Sequence, residues 1–269
     1  MSKVILIVSD ALRDDAAQQG MGYLQHLVEV KKATRFHVTA ELPTMSRPNY
    51  EALHTGVSSS THGIVNNSIV RRSIMPNVFE LARAAGKVTA ASVYAWYSEL
   101  YNRVPYDVVL DREVDDAALN IQHGRFYTAY DMPDDEVFAA AATLLRRYIP
   151  DYLLIHPMLL DTLGEAYGAQ SEQYRKQVIV QDGLIASLLP DALKAGYTIM
   201  VTADHGISDD RIHGGTTDDV RRVPLYIMTP DESGAGDTDK TVSQLQIAPT
   251  VLKLLDMPIP ETMKGHPLV

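Results

Sequence analysis

The chain contains no cysteine, which excludes a disulfide framework, thiolate-bound zinc and a cysteine nucleophile. It has no block of lysines and arginines, and its net charge is −10. Binding of a nucleic-acid polymer through a basic face is therefore disfavoured. Long apolar runs are also missing. The first, Val4 to Val8 within MSKVILIVSDALRDD, is too short for a signal-peptide core or a membrane span. A cytoplasmic protein without membrane contact is the expectation. Neither a Gly-x-Gly-x-x-Gly nor a Gly-x-x-x-x-Gly-Lys-Ser/Thr loop occurs, which removes the usual signatures of dinucleotide and P-loop nucleotide binding.

What is present is the composition of an ordinary globule, 46% apolar and 22% charged over 269 residues. A chain of this length buries about three quarters of its unfolded surface and needs no staples. Short Val- and Ile-rich runs alternate with helical patterns, which predicts an α/β fold with a mostly parallel sheet. Strands are expected at Val4–Val8, Arg35–Ala40, Val88–Val93, Tyr152–Ile155, Thr198–Thr202 and Val223–Met228. Helices are expected near Tyr23–Val30, at Asn77–Ala85, Asp134–Arg147, Glu172–Leu189 and Gln244–Leu255, with a short one from Pro48 to His54 that stops at Gly56. Residues 231–240, rich in Gly, Ser and Asp, are expected to be flexible. A single catalytic domain over 1–269 is expected, with an insertion on the substrate side around 94–130.

Ligands of open α/β sheets bind beyond the carboxyl ends of the strands. Three of the runs lead to carboxylates there: to Asp10, to Asp161 and to Asp204-His205. Each aspartate alone reads equally well as a helix cap; three together point to one rim. Asp161 and Glu165 are four apart, so on a helix they share a face. His213 is followed by two glycines, which let the loop fold back. These six side chains are competent ligands for Zn²⁺ or Mn²⁺. Ser46, in Pro43-Thr44-Met45-Ser46-Arg47-Pro48-Asn49, falls where a helix begins. A hydroxyl there meets the positive end of the helix dipole; the plainer reading is that Ser46 only caps the helix.

These segments together resemble the alkaline phosphatase superfamily, and within it the type I phosphodiesterase/nucleotide pyrophosphatase family. The carrying motifs are Pro43-Thr44-x-Ser46-x-Pro48-Asn49, His62-Gly63-Ile64-x-x-Asn67, Asp204-His205-Gly206 and His213-Gly214, with a closing stretch from Ile247 to Leu268. The resemblance implies a three-layer sandwich and a metal-dependent hydrolase of small phosphate esters. Ser46 would be the nucleophile, with Thr44 the runner-up. Asp10, Asp204 and His205 would hold one cation, with Ser46 as a further ligand; Asp161, Glu165 and His213 would hold the other. Asn67 and the Ser46 N–H would bind a phosphoryl oxygen, and Arg47 would touch substrate. The cations would also reconcile an acidic protein with an anionic substrate.

One position departs from the family: Glu165 stands where histidine is usual, which favours harder ions such as Mn²⁺. It also motivates a non-catalytic metal- or partner-binding alternative. A broad phosphomonoesterase or a phosphonate hydrolase would use the same site. A sulfatase is disfavoured, because Tyr50 stands where those enzymes carry arginine. The aromatic and basic residues between Tyr94 and Tyr127 either stack a planar leaving group or form the core of the insertion. His54 and His62 read as structural, and His156 as a neighbour of the site.

Overall fold

The computed structural model describes residues 3–269. In chain order the elements are β1 (Lys3–Val8), α1 (Asp14–Gly20), α2 (Gly22–Glu29), β2 (Thr34–Thr39), α3 (Ser46–Thr55), α4 (Ser59–His62), α5 (Val78–Ala84), β3 (Thr89–Tyr94) and α6 (Trp96–Tyr101). There follow β4 (Glu113–Asp115), β5 (His123–Tyr127), α7 (Asp134–Tyr148), β6 (Tyr152–Ile155), α8 (Leu159–Tyr167), α9 (Glu172–Lys194) and β7 (Tyr197–Thr202). The chain closes with α10 (Asp218–Arg221), β8 (Arg222–Met228), β9 (Gly236–Ser243), a 3₁₀ turn (Gln244–Gln246) and α11 (Ile247–Leu254).

The nine strands form one sheet in the order β4-β5-β3-β6-β1-β7-β8-β2-β9. Pairing is parallel from β5 through β7 and between β2 and β9, and antiparallel at β4–β5, β7–β8 and β8–β2. On one side α9 packs on β7 and against α1, α2, α7 and α8; on the other α11 packs on β1 and against α3 and α5. The three layers of an alkaline-phosphatase-like sandwich result. Central strands are buried on both faces, which is why they read as continuous apolar runs. At the register Ile7↔Ile155 and Val8↔Thr202, β6, β1 and β7 end side by side. That places Asp10, His156 and Asp204 on one rim.

Of residues 231–240, expected to be flexible, 236–240 belong to edge strand β9, paired in parallel with β2. Its sequence GDTDKTVS has no apolar run; backbone pairing with β2 and side-chain contacts of Asp237 and Thr238 to Arg35 hold it. Within 94–130, β5 and β4 extend the sheet beyond β3. The expected helix end at Gly56 is built as a left-handed cap: φ is 62° and its N–H donates to the Ala52 carbonyl at 2.9 Å.

Candidate active site

Helix α3 starts at Ser46, with Met45 as its N-cap and no side-chain cap. The capping role is therefore not what Ser46 does. Its Oγ lies 3.2 Å from His205 Nε2. His205 is fully buried, with Nδ1 2.9 Å from the Gly206 carbonyl. Its Nε2 thus faces inward, 3.3 Å from Asp204 Oδ2 and 3.4 Å from Asp10 Oδ1. Gly206 is required by contact: a Cβ there would sit 2.2 Å from the Asp219 carbonyl oxygen.

Three buried carboxylates converge here, and each has one oxygen without a hydrogen-bond partner: Asp10 Oδ1, Asp161 Oδ1 and Asp204 Oδ2. The other Asp204 oxygen accepts the Ala11 N–H at 3.3 Å. Asn49 Nδ2 and Gln244 Nε2 donate to the Asp204 carbonyl at 2.9 and 2.7 Å, fixing this residue's backbone. Among the described residues no lysine or arginine pairs with any of the three; their ionic neighbours are histidines.

The electrostatics follow. Burial and the neighbouring Asp10 charge push both the Asp161 and the Asp204 carboxyls well up. Burial also raises Asp10, but its bonds and charges from His156 and His205 and its bond from Tyr50 outweigh that and bring it to about 2. Burial and the facing His213 lower His205 to about 4. Burial opposes protonation of His213 too, yet Glu165, Asp161 and Asp10 carry it up to about 9. Close buried carboxylates with orphaned oxygens are the donor set that a divalent cation satisfies. Two overlapping groups have the necessary proximity, Asp10–Asp204–His205 and Asp161–His205–His213. The residues present fit paired cations.

Asp161 and Glu165 both lie on α8. Asp161 is buried, whereas the Glu165 side chain is 56% exposed and reaches the site through a 3.4 Å approach to His213 Nε2. His213 lies parallel to His205, ring centroids 4.3 Å apart. Thr44 holds this loop in three ways. Its carbonyl lies 3.0 Å from His213 Nδ1, and its hydroxyl accepts the Gly214 N–H at 3.0 Å and donates to the Gly215 carbonyl at 2.9 Å. With both functions of its hydroxyl occupied within the loop, Thr44 is a clamp, whereas the Ser46 hydroxyl faces His205.

Asn67 is oriented by the helix start. Its Oδ1 accepts the Arg47 N–H at 3.0 Å, which turns the amide nitrogen away as a free donor. Arg47 is buried; its Nε donates to the Asn67 carbonyl at 3.0 Å and Nη2 to Glu99 at 2.7 Å. Its guanidinium stacks 4.4 Å over Trp96, and Nη1 alone has no partner. Most of the aromatic residues that follow are core: Tyr97, Tyr101, Phe126 and Tyr127 are buried, and Arg125 pairs with Asp115. His54 is buried between Phe79 and the Tyr152 hydroxyl, and burial lowers it to about 4.

Sequence reasoning passed over Tyr50 as part of the site and left His156 at its margin. The Tyr50 hydroxyl donates to Asp10 Oδ2 at 2.7 Å and lies 2.7 Å from His156 Nε2. His156 Nδ1 in turn is 2.7 Å from the Val8 carbonyl. The available signals were a histidine directly after a buried strand and a tyrosine one helical turn from Ser46. Both are ordinary features of a core.

The chain belongs to the type I phosphodiesterase/nucleotide pyrophosphatase family, whose model matches residues 4–217. It is 26% identical, over 98% of its length, to the catalytic subunit of GPI ethanolamine phosphate transferase 2 of Homo sapiens, and spans 27% of that protein. Among solved structures it resembles murine ectonucleotide pyrophosphatase/phosphodiesterase 5, in an inactive form in complex with AMP. The TM-score is 0.74 at 13% identity, covering 97% of this chain and 96% of that one. It also resembles a phosphonate monoester hydrolase from Silicibacter pomeroyi, with a TM-score of 0.69 at 16% identity, covering 100% of this chain and 76% of that one. Family and fold support an enzyme that acts on phosphate esters. Among the described residues no helix is long and apolar enough to cross a membrane.

Proposed function

We propose that the protein hydrolyses small phosphate esters, in the manner of a phosphodiesterase or nucleotide pyrophosphatase, through a phosphoseryl intermediate on Ser46. The carrying observation is the Ser46 hydroxyl, hydrogen-bonded at 3.2 Å to His205 Nε2, beside three carboxylate oxygens that have no partner. Asp10, Asp204 and His205 would hold one divalent cation and Asp161, Glu165 and His213 another, as Zn²⁺ or Mn²⁺. Bound there, such ions supply Lewis acidity, easing deprotonation of a serine hydroxyl and neutralising phosphoryl oxygens.

The chain's own groups do the rest. Ser46 Oγ attacks phosphorus in line; the Ser46–phosphorus bond forms as the bond to the leaving oxygen breaks. The Asn67 amide nitrogen and the N–H of Ser46, at the start of α3, donate to a non-bridging oxygen as its charge grows. One such donor is commonly worth about 3 kcal/mol in the transition state. Water then attacks phosphorus and releases Ser46.

A second reading has its own support in the relatives that are transferases. The same phosphoseryl group would pass to an acceptor alcohol instead of water. One experiment covers both: release of p-nitrophenol from bis-p-nitrophenyl phosphate and p-nitrophenyl phosphate, in Mn²⁺ or Zn²⁺, with and without methanol. Hydrolysis predicts ion-dependent turnover of the diester that falls by about a thousandfold or more in Ser46→Ala, as expected when a nucleophile is removed. Methyl phosphate products in excess of their mole fraction would favour transfer. Turnover unaffected by Ser46→Ala would sink both readings.

A further inference from the structure

We propose that Tyr50 is a positioning residue that couples the nucleophile's helix to the cation site through Asp10; this rests on the reading above. Tyr50 and Ser46 are four apart on α3, so both project from the same face of the helix. Ser46 Oγ approaches His205 Nε2 at 3.2 Å, and the Tyr50 hydroxyl donates to Asp10 Oδ2 at 2.7 Å. Asp10 Oδ1, left without a partner, is 3.4 Å from the same His205 nitrogen. By occupying one oxygen of Asp10, Tyr50 determines which oxygen is presented for ligation. One rigid helix thereby carries both the attacking hydroxyl and the group that orients a ligand. Its register sets the distance between them.

An internal comparison separates this from simple core packing. Tyr97 stacks on Tyr50 with ring centroids 4.3 Å apart, and both are fully buried. Yet the Tyr97 hydroxyl has no partner at all. Burial in this aromatic stack does not by itself demand a bonded hydroxyl. That of Tyr50 has two close neighbours, Asp10 Oδ2 and His156 Nε2, each at 2.7 Å. His156 is itself anchored on the Val8 carbonyl of β1, so the clamp closes back on the strand that carries Asp10. Groups that orient a metal ligand through its unused atom typically change metal affinity by about 10- to 100-fold when removed.

The test is calorimetric titration of the chelator-stripped protein with Mn²⁺ or Zn²⁺ alone, on wild type, Tyr50→Phe and Tyr97→Phe. Tyr50→Phe is expected to weaken one of two binding steps by about 10- to 100-fold, while Tyr97→Phe changes neither. Phosphodiesterase activity of Tyr50→Phe should be low at limiting ion and recover as ion approaches saturation. If Tyr50→Phe does not fold, His156→Asn takes its place, with the same step weakened by about tenfold. Unchanged affinity in the variant, or equal weakening of both steps, overturns the assignment but leaves the phosphoesterase reading standing. Wild-type protein that binds neither ion overturns both.

Discussion

Beside β2, Asp14 lies buried between Arg35 and His37, 2.5 Å from Arg35 Nη2 and 2.7 Å from His37 Nδ1. Arg35 reaches on to Asp237 at 2.7 Å. The rim of β6, β1 and β7 also gathers aspartates and histidines, but no arginine enters it. The residue types are alike and the outcomes opposite. In the first cluster the buried Asp14 and the half-exposed Asp237 both meet the Arg35 guanidinium. The second carries carboxylate oxygens that nothing in the chain satisfies. A third solution stands behind the nucleophile's helix: Glu51, buried against Ser73 at 2.5 Å and Tyr101 at 3.1 Å, has neither arginine contact nor cation site. Burial pushes its carboxyl up to about 7 against the bonds from Ser73 and Tyr101 and the charge of Arg71, so it takes up a proton at a higher pH than a free carboxylate does. Acidic clusters are therefore told apart by their counter-charges, not by their composition.

The sharpest way to break this comparison is to neutralise one aspartate in each cluster of chelator-treated protein. Asp14→Asn strands Arg35 beside a lost partner and is expected to lower stability in urea by about 3 kcal/mol, as breaking a buried ion pair does. Asp204→Asn removes one of three repelling carboxylates and is expected to leave the metal-free protein as stable or more so. Equal losses in the two variants would erase the distinction.

Adding the ion closes most of the gap between them. At about a hundred times the dissociation constant, Mn²⁺ or Zn²⁺ should stabilise wild type and Asp14→Asn by about 2.7 kcal/mol. Asp204→Asn should gain much less, as read by thermal melts. A matching gain in Asp204→Asn would place the ion elsewhere.

The smallest effect concerns Glu51. Its folded value of about 7 lies above the ordinary 4.5, so its contribution to stability is complete below pH 4.5 and is lost as pH rises through about 7. Wild type should lose at least about 1.4 kcal/mol across that window, the equivalent of a tenfold change in proton affinity. Glu51→Gln, neutral throughout, should flatten the curve. A slope unchanged by Glu51→Gln would assign the pH dependence to other groups.

The same contrast explains what could be read without coordinates. β1, β6 and β7 were legible because burial on both faces demands unbroken apolar runs, and the acids just past them stood out against those runs. The edge strands β4 and β9 were not, since a strand that draws much of its stability from backbone pairing with a neighbour needs no apolar run of its own. Within the site, Ser46, Asn67, Asp204-His205 and His213 were legible through local motifs. The roles of Thr44, Tyr50, His156 and Gln244 were not, because each acts through a partner at least 40 positions away.

By itself, then, the sequence determined the α/β class, the family and which side chains are chemically competent, because side-chain chemistry and periodicity are local properties. Only the tertiary structure decided which carboxylates meet an arginine, which take up a proton more readily and which are left facing one another. Those outcomes depend on distances of a few ångströms between segments far apart in the chain, and charge interactions under burial change steeply over that range.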